Sequence, residues 1–417
     1  MQRVAITGLG VVAPHGRGAT ALLEGLVAGR SRIRRLDPEL LSPDGEARLQ
    51  SPIGAVAEFD PGAHFDPARQ RMLDRVTQLA LIAAADAVAD ARLDFALEAR
   101  ERCGVCAGTG IGGAATTEEG YRTIYGQRSD RVKPYSVLAA MNNAPASWIG
   151  IEYALSGPNL TFSTACSSSA VAIGEAGRRI RHGEADVMLA GGAEAPLTFG
   201  VLRAWEALRT VATMDPRDPS TSCRPFSRNR SGLVLGEGAA FVVLESFEHA
   251  QRRGATIHAE LAGYGLTTDC GHITRPSAEG QAASMRAALA SAELEPGAID
   301  YVNAHGTGTA QNDAVETAAL KAVFGPRAYG IPVSSTKSMH GHLLGAAGAL
   351  EFVIALLCLH HGLAVPTAHL DSPDPACDLD YVPGAARRGL SLRAVMSNSF
   401  AFGGTNAVLI AQAPGAR

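Results

Sequence analysis

Ten short runs of apolar, β-favouring residues recur along the chain, and this rhythm constrains the fold more than any other feature. Five occupy residues 4–8, 104–108, 160–164, 187–190 and 240–245. Five more occupy residues 259–264, 301–304, 332–335, 394–398 and 406–411. Ala-rich stretches with helical spacing, such as 281–292 and 313–323, lie between them. Alternation of this kind predicts an α/β protein in which parallel strands are joined by crossover helices. Hydrophobic residues make up 46% of the chain but aromatics only 5%, so its layers must pack closely through small side chains. At 417 residues the chain exceeds one typical core, which points to two domains or one large α/β unit.

The two sets of runs echo one another. Val105-Cys106-Ala107-Gly108-Thr109-Gly110 is matched by Val302-Asn303-Ala304-His305-Gly306-Thr307-Gly308, and Ser163-Thr164-Ala165-Cys166 by Ser335-Thr336-Lys337-Ser338. Matching order predicts a duplicated unit whose corresponding helices meet about a pseudo-two-fold axis. Charged residues replace strand pattern across 245–255. The halves are therefore expected to be 1–250 and 251–417.

Charge and cysteine usage exclude several classes. The net charge of −4, with scattered basic residues, leaves no footprint for nucleic acid. The first ten residues read as a strand running into a Gly turn rather than a signal peptide, and no apolar run is expected to span a membrane. Seven irregularly spaced cysteines fit reduced thiols in the cytoplasm. Cys103-Gly104-Val105-Cys106 has redox-like spacing but sits in an apolar strand pattern with no second pair for zinc, and is read as structural. Gly8-Leu9-Gly10-Val11-Val12-Ala13 fits the dinucleotide fingerprint, yet Pro14-His15-Gly16 follows where the binding helix should continue. A tight turn is expected there.

Cys166 ends an apolar run and begins a helical pattern through Val171, Ile173, Ala176 and Ile180. A thiol at a helix N-terminus is a candidate nucleophile with a depressed pKa; a random cysteine is more often a buried structural residue. Context comes from His305, within Ala304-His305-Gly306-Thr307-Gly308-Thr309, and from His342, within Lys337-Ser338-Met339-His340-Gly341-His342. His340 and His342 lie two apart and would not face each other on a helix, so no metal is expected, and His340 reads as a surface or pocket-rim residue.

With Ser399-Phe400-Ala401-Phe402-Gly403-Gly404-Thr405-Asn406 near its end, the chain resembles, from end to end, the two-histidine, elongating (KAS II-like) β-ketoacyl-[acyl carrier protein] synthases. That resemblance implies a thiolase-like duplicated fold, layered αβαβα with two mixed sheets. It also implies a decarboxylative condensation without cofactor. Cys166 would carry the acyl chain, while His305 and His342 would stabilise the enolate of a malonyl thioester. Lys337, expected to open the helix bearing His342, and Glu351 would support the histidines. The N–H groups of Cys166 and Phe402 would form the oxyanion hole, with Phe402 as a gate. Thr307 and Thr309 would bind pantetheine, and Ile111 and Phe199 would line the acyl pocket. The implied partners are acyl- and malonyl-loaded acyl carrier protein and a second subunit, either an identical copy or a related synthase or chain-length factor. Arg69, Arg71, Arg75, Arg203 and Arg209 are candidate docking residues for the acidic carrier.

Two rivals remain. A chain-length factor has the same fold without an active thiol, which the intact Cys166, His305 and His342 disfavour. A thiolase needs a second, base-acting cysteine, and Cys270, Cys358 and Cys377 lack Gly-rich loop contexts. Ala401 stands where the housekeeping fatty-acid pattern has glycine, a departure that also fits synthases of specialised polyene or nodulation-factor pathways. Its Cβ is expected to stiffen the loop.

Overall fold

A computed structural model describes residues 1–37 and 48–415. Strands β1 (Val4–Ala13), β2 (Cys103–Gly108), β3 (Asn159–Phe162), β4 (Val187–Glu194) and β5 (Gly238–Ser246) build the first half. Strands β6 (Ala259–Thr268), β7 (Tyr301–Asn303), β8 (Val333–Ser334), β9 (Ala394–Phe400) and β10 (Thr405–Gln412) build the second. Their order across the sheet is β8-β7-β9-β10-β6-β1-β5-β4-β2-β3. Read outward from the middle, 1-5-4-2-3 becomes 6-10-9-7-8, the same path repeated.

Pairing is mixed rather than wholly parallel. The β2–β3, β2–β4, β7–β8 and β7–β9 pairs are parallel; β4–β5, β5–β1, β9–β10 and β10–β6 are antiparallel. The link 401–404 is too short for a crossover helix, so β9 and β10 can only form a hairpin. Two sheets were the expectation, and the halves do meet at a narrow seam: β1 and β6 pair only at Ala5↔Glu260 and Ile6↔Ala259, which joins them into one continuous sheet.

The principal helices are α1 (Arg75–Ala91), α2 (Ala144–Glu152), α3 (Ser168–Arg181), α4 (Phe199–Ala207), α5 (Ala278–Ala292), α6 (Asn312–Phe324), α7 (Lys337–His340) and α8 (Ala347–His361). Asp74 caps α1 by accepting from Val76 N at 3.0 Å, satisfying one of the helix's orphan donors. One core packs α1 and α2 against the first half-sheet, another packs α5 and α6 against the second, and a third places α3 and α8 between the two half-sheets. The layers thus run α, β, α, β, α.

Gly8 and Gly10 lie inside β1 rather than in a turn, because a Cβ on either would fall 2.2 Å or 1.9 Å from α1 carbonyl oxygens; their role is close helix–strand approach, not phosphate binding. An apolar run of spanning length does exist, at Leu344–His361 with mean hydropathy 1.6, but 89% of it is buried. It is the core helix of the central layer.

Candidate active site

Duplication brings the site together. In the first half the edge strand β3 leads through a turn into the central-layer helix α3, and in the second β8 leads through α7 and a turn into α8. These helices abut at their N-termini: Ala349 N donates to Ser169 Oγ at 2.8 Å, and a Cβ on Gly348 would lie 2.8 Å from that of Ala170. Small residues at the contact let the two turns touch.

Cys166 sits in the first turn, 6% exposed, directly after Ala165 at φ 52°. A non-glycine residue in that region is strained. Serine hydroxyls hold the turn: Thr164 N donates to Ser168 Oγ at 2.9 Å, and Ser168 Oγ donates to Ala165 O at 2.6 Å.

His342 Nε2 lies 3.1 Å from Cys166 Sγ, and Leu344 N donates to His342 Nδ1 at 3.2 Å. With Nδ1 accepting, the ring proton belongs on Nε2, so His342 faces the sulfur as a donor. The His342 backbone is clamped by bonds to Val234 O at 2.7 Å and from Gly236 N at 2.9 Å. His305 follows β7, its ring centre 5.4 Å from that of His342. Lys337 Nζ donates to His305 O at 2.6 Å and lies 3.4 Å from His305 Nδ1, which assigns the second proton to Nε2 by the same logic. The thiol and both imidazoles have ligand atoms within 4.8 Å of one another.

Lys337 and Glu351 are fully buried and ion-paired. Burial pushes Glu351 up to about 7, opposed by Lys337. Burial, then the Lys337 charge, holds both imidazoles well below the ordinary histidine value, so they are neutral N–H donors. Cys166 departs from the sequence expectation. Burial pushes it up to about 12, outweighing the Lys337 charge and the Phe402 N–H that hydrogen-bonds its sulfur. A thiol enclosed this far gains less from a helix start than it loses in hydration.

A cysteine and two histidines also make a zinc-like donor set. The electrostatics oppose it, because the Lys337 ammonium beside His305 repels a divalent ion, and the Nε2–H of each neutral ring already occupies the position a metal would need.

A cavity of about 310 Å³ leads to the site, lined by Cys166, His305, His342, Thr307, Thr309 and Phe402 among others. Thr307 and Thr309 hydroxyls share a 2.9 Å hydrogen bond. Ile111 and Phe199 do not line this cavity; they pack with Leu202 and Leu344 in an adjoining apolar cluster. His340 is fully buried rather than at the rim, because Nδ1 donates to Gly341 O at 2.7 Å and Nε2 accepts from Thr336 Oγ1 at 2.8 Å. Lys337 opens α7, which ends at His340, so His342 lies beyond that helix, past Gly341 at φ 71°. Ala401 is absent from the positive-φ residues, whereas Gly403 and Gly404 lie at 86° and 81°; its Cβ therefore imposes no backbone strain. The five arginines form no free patch. Arg69 pairs with Glu152, Arg75 with Glu237 and Arg203 with Glu206, leaving Arg71 and Arg209 without an ion pair among the described residues.

Sequence reasoning missed three buried carboxylates. Glu316 accepts from His305 N and Gly306 N, both at 2.8 Å; Asp313 accepts from Phe226 N at 2.8 Å and Gly308 N at 3.2 Å. Glu194, at the end of β4, accepts from Gly110 N, Ile111 N and Gly345 N at 2.6, 3.1 and 2.8 Å, tying the two halves together beside the site. Spacing three apart on α6 was the one signal for the first two.

Comparison with known proteins agrees with this arrangement. The model of the β-ketoacyl synthase N-terminal domain matches residues 1–250, and that of the C-terminal domain matches residues 258–371. Nodulation protein E of Rhizobium meliloti (strain 1021) is 44% identical over 409 residues, covering 98% of each chain. The 3-oxoacyl-[acyl-carrier-protein] synthase 2 of Coxiella burnetii is 41% identical over 411 residues, again covering 98% of each. A solved complex of a type II PKS acyl-carrier protein with its ketosynthase bound to the hexaketide superposes with a TM-score of 0.90 at 34% identity, covering 99% of both chains. A thiol at one helix start, two imidazole donors from the other half and a match along the whole chain lead to one assignment: the chain belongs to the β-ketoacyl synthase family.

Proposed function

We propose that the chain is a 3-oxoacyl-[acyl-carrier-protein] synthase acting in the cytoplasm, in which halves 1–250 and 251–417 contribute the nucleophile and the histidines respectively. The observation that carries this reading is the pair of neutral imidazoles, each fixed with its N–H on Nε2, next to a thiol at a helix start. Cys166 attacks an acyl thioester on the carrier protein, the carbonyl oxygen being held by the N–H groups of Cys166 and Phe402. His342, already a donor toward sulfur, is poorly placed to take the thiol proton, so that proton leaves with the departing carrier thiol. The acyl-cysteine then meets malonyl-loaded carrier. Its carboxylate departs as carbon dioxide, the electron pair moves into the thioester, and the two Nε2–H groups stabilise the enolate oxygen. The α-carbon attacks the acyl-cysteine carbonyl, and expulsion of the sulfur gives the chain extended by two carbons. Thr307 and Thr309 face the pantetheine arm, and Ile111 and Phe199 back the acyl pocket.

The partners in this reading are acyl- and malonyl-loaded carrier protein and a second synthase-type subunit, either an identical copy or a chain-length factor. The carrier-bound ketosynthase superposed above supports the first. The pathway is fatty acid or specialised polyene or polyketide synthesis, and kinship to both a nodulation protein and a synthase 2 supports either. Mass spectrometry after incubation with acyl-loaded carrier tests the assignment. An adduct that survives Cys166→Ala would overturn it. Cys166→Gln should abolish condensation yet keep malonyl decarboxylation, while His305→Ala or His342→Ala should reduce decarboxylation by about 10²–10³-fold; decarboxylation at the parental rate would remove that histidine from the site.

A further inference from the structure

We propose that Trp205 is a positioning residue for Phe402, holding its ring in the closed place and so setting how the protein divides its time between acyl loading and condensation. The inference rests on reading Cys166 as the acyl carrier and Phe402 as its oxyanion donor. The two rings lie 6.0 Å apart between centroids with planes 22° apart, an offset stack within attractive range, and both line the cavity that holds Cys166. Phe402 thus has two attachments: its backbone N–H on the nucleophile's sulfur and its ring on Trp205.

One side of this pair is fixed and the other can move. Trp205 projects from α4, whose start is anchored by the Glu118 carboxylate, accepting from Phe199 N at 3.1 Å and Gly200 N at 2.7 Å, and whose Leu202 is buried in the apolar cluster. Phe402 rides on the 401–404 turn, held by Ala401 N to Thr405 O, Gly403 N to Ile273 O and Gly404 N to Ala401 O. The two glycines after the ring adopt positive φ, and apart from its chain neighbours no described residue lies within 4 Å of where a Cβ on Gly403 would be. Space and dihedral freedom therefore exist beside the moving residue. With the stack made, the oxyanion hole is complete and the ring narrows the route to Cys166. With the stack broken, the route widens and the hole loses a donor.

An aromatic pair of this kind shifts a two-state balance by about 2- to 12-fold. Entry of the chain past the ring limits loading, and the N–H rejoins the hole when the ring returns, whereas condensation needs the hole complete throughout; Trp205→Ala should therefore raise the single-turnover rate of Cys166 acylation from decanoyl-loaded carrier protein by that factor and lower the condensation rate by a similar one. Trp205→Phe, which keeps a stacking ring, should restore parental values. A merely structural role would lower both half-reactions together. The chain has two tryptophans, so in Trp148→Phe protein the emission reports Trp205 alone. Acyl loading should shift that emission, and adding Phe402→Ala should remove the shift. Cys166 shown by mass to be acylated with emission unchanged, or Trp205→Ala with both rates parental, would overturn the role of Trp205. No adduct on Cys166 in the parent would overturn the underlying reading, and this inference with it.

Discussion

Alkylation of Cys166 should rise about tenfold per pH unit from pH 6 to pH 9 without a plateau, as expected for a thiol that stays protonated across that range. The magnitude follows from its surroundings. Burial pushes the thiol to about 12 against an ordinary value of 9.0, a penalty of about 4 kcal/mol on the thiolate. At pH 8 about one site in 10⁴ is then ionised, where an ordinary thiol would be ionised in about one of ten. Two influences oppose burial, the Lys337 charge and the Phe402 N–H, and neither reverses it. The assay is iodoacetamide labelling followed by peptide mass spectrometry, in a Cys270→Ser background because Cys270 is an exposed free thiol. A rate that levels off at or below pH 8 would refute the reasoning. It would mean that the helix start and Lys337 outweigh desolvation, leaving a resident thiolate that needs no proton to travel with the departing thiol.

Glu351→Gln keeps the shape beside Lys337 but removes a carboxyl that titrates in the fold near 7 instead of 4.5. A raised folded pKa gives stability that is full below pH 4.5 and lost as pH rises through 7, so thermal scans should show the variant gaining about 3 kcal/mol on the parent across that interval. Its decarboxylation rate should fall at least about tenfold as Lys337 loses its aim on His305. Arg71→Glu and Arg209→Glu should each raise KM for carrier-bound substrate and weaken its salt dependence; Arg75→Glu should chiefly lower thermal stability, because Glu237 is left without its partner. Ala401→Gly should leave acylation rate and product chain length unchanged, since Ala401 has no positive φ for glycine to relieve; a changed chain-length profile would give that position a role in specificity.

Much of the architecture could be read from the chain because its signals are local. Strands β1 to β10 lie where β-favouring runs interrupt Ala-rich stretches, and the echo between residues around 105 and 302 reflects equivalent strands, β2 and β7. Cys166, His305 and His342 were legible as a group from sequence and meet in space. What was hidden depended on burial. No periodicity signals that Glu194 accepts from three backbone N–H groups, or that His340 turns inward onto Thr336. The thiol's environment was misjudged for the same reason: a helix start is visible in sequence, and the water excluded around it is not. The pairing of Arg69 and Arg75 was hidden because it depends on residues far away in the chain, Glu152 and Glu237.

The shared central layer has a consequence for how the protein comes into being. Helix α3 emerges during synthesis with Cys166 at its start, but the partner that covers its inner face, α8, arrives only after His342, 176 residues later. Until then the first half has an apolar flank with nothing to cover it, and its sulfur has no imidazole beside it. Contacts so distant in sequence form late. A nascent or truncated chain is thus sticky and without condensing activity at once. Competence for catalysis becomes a report that the whole polypeptide has been made and folded.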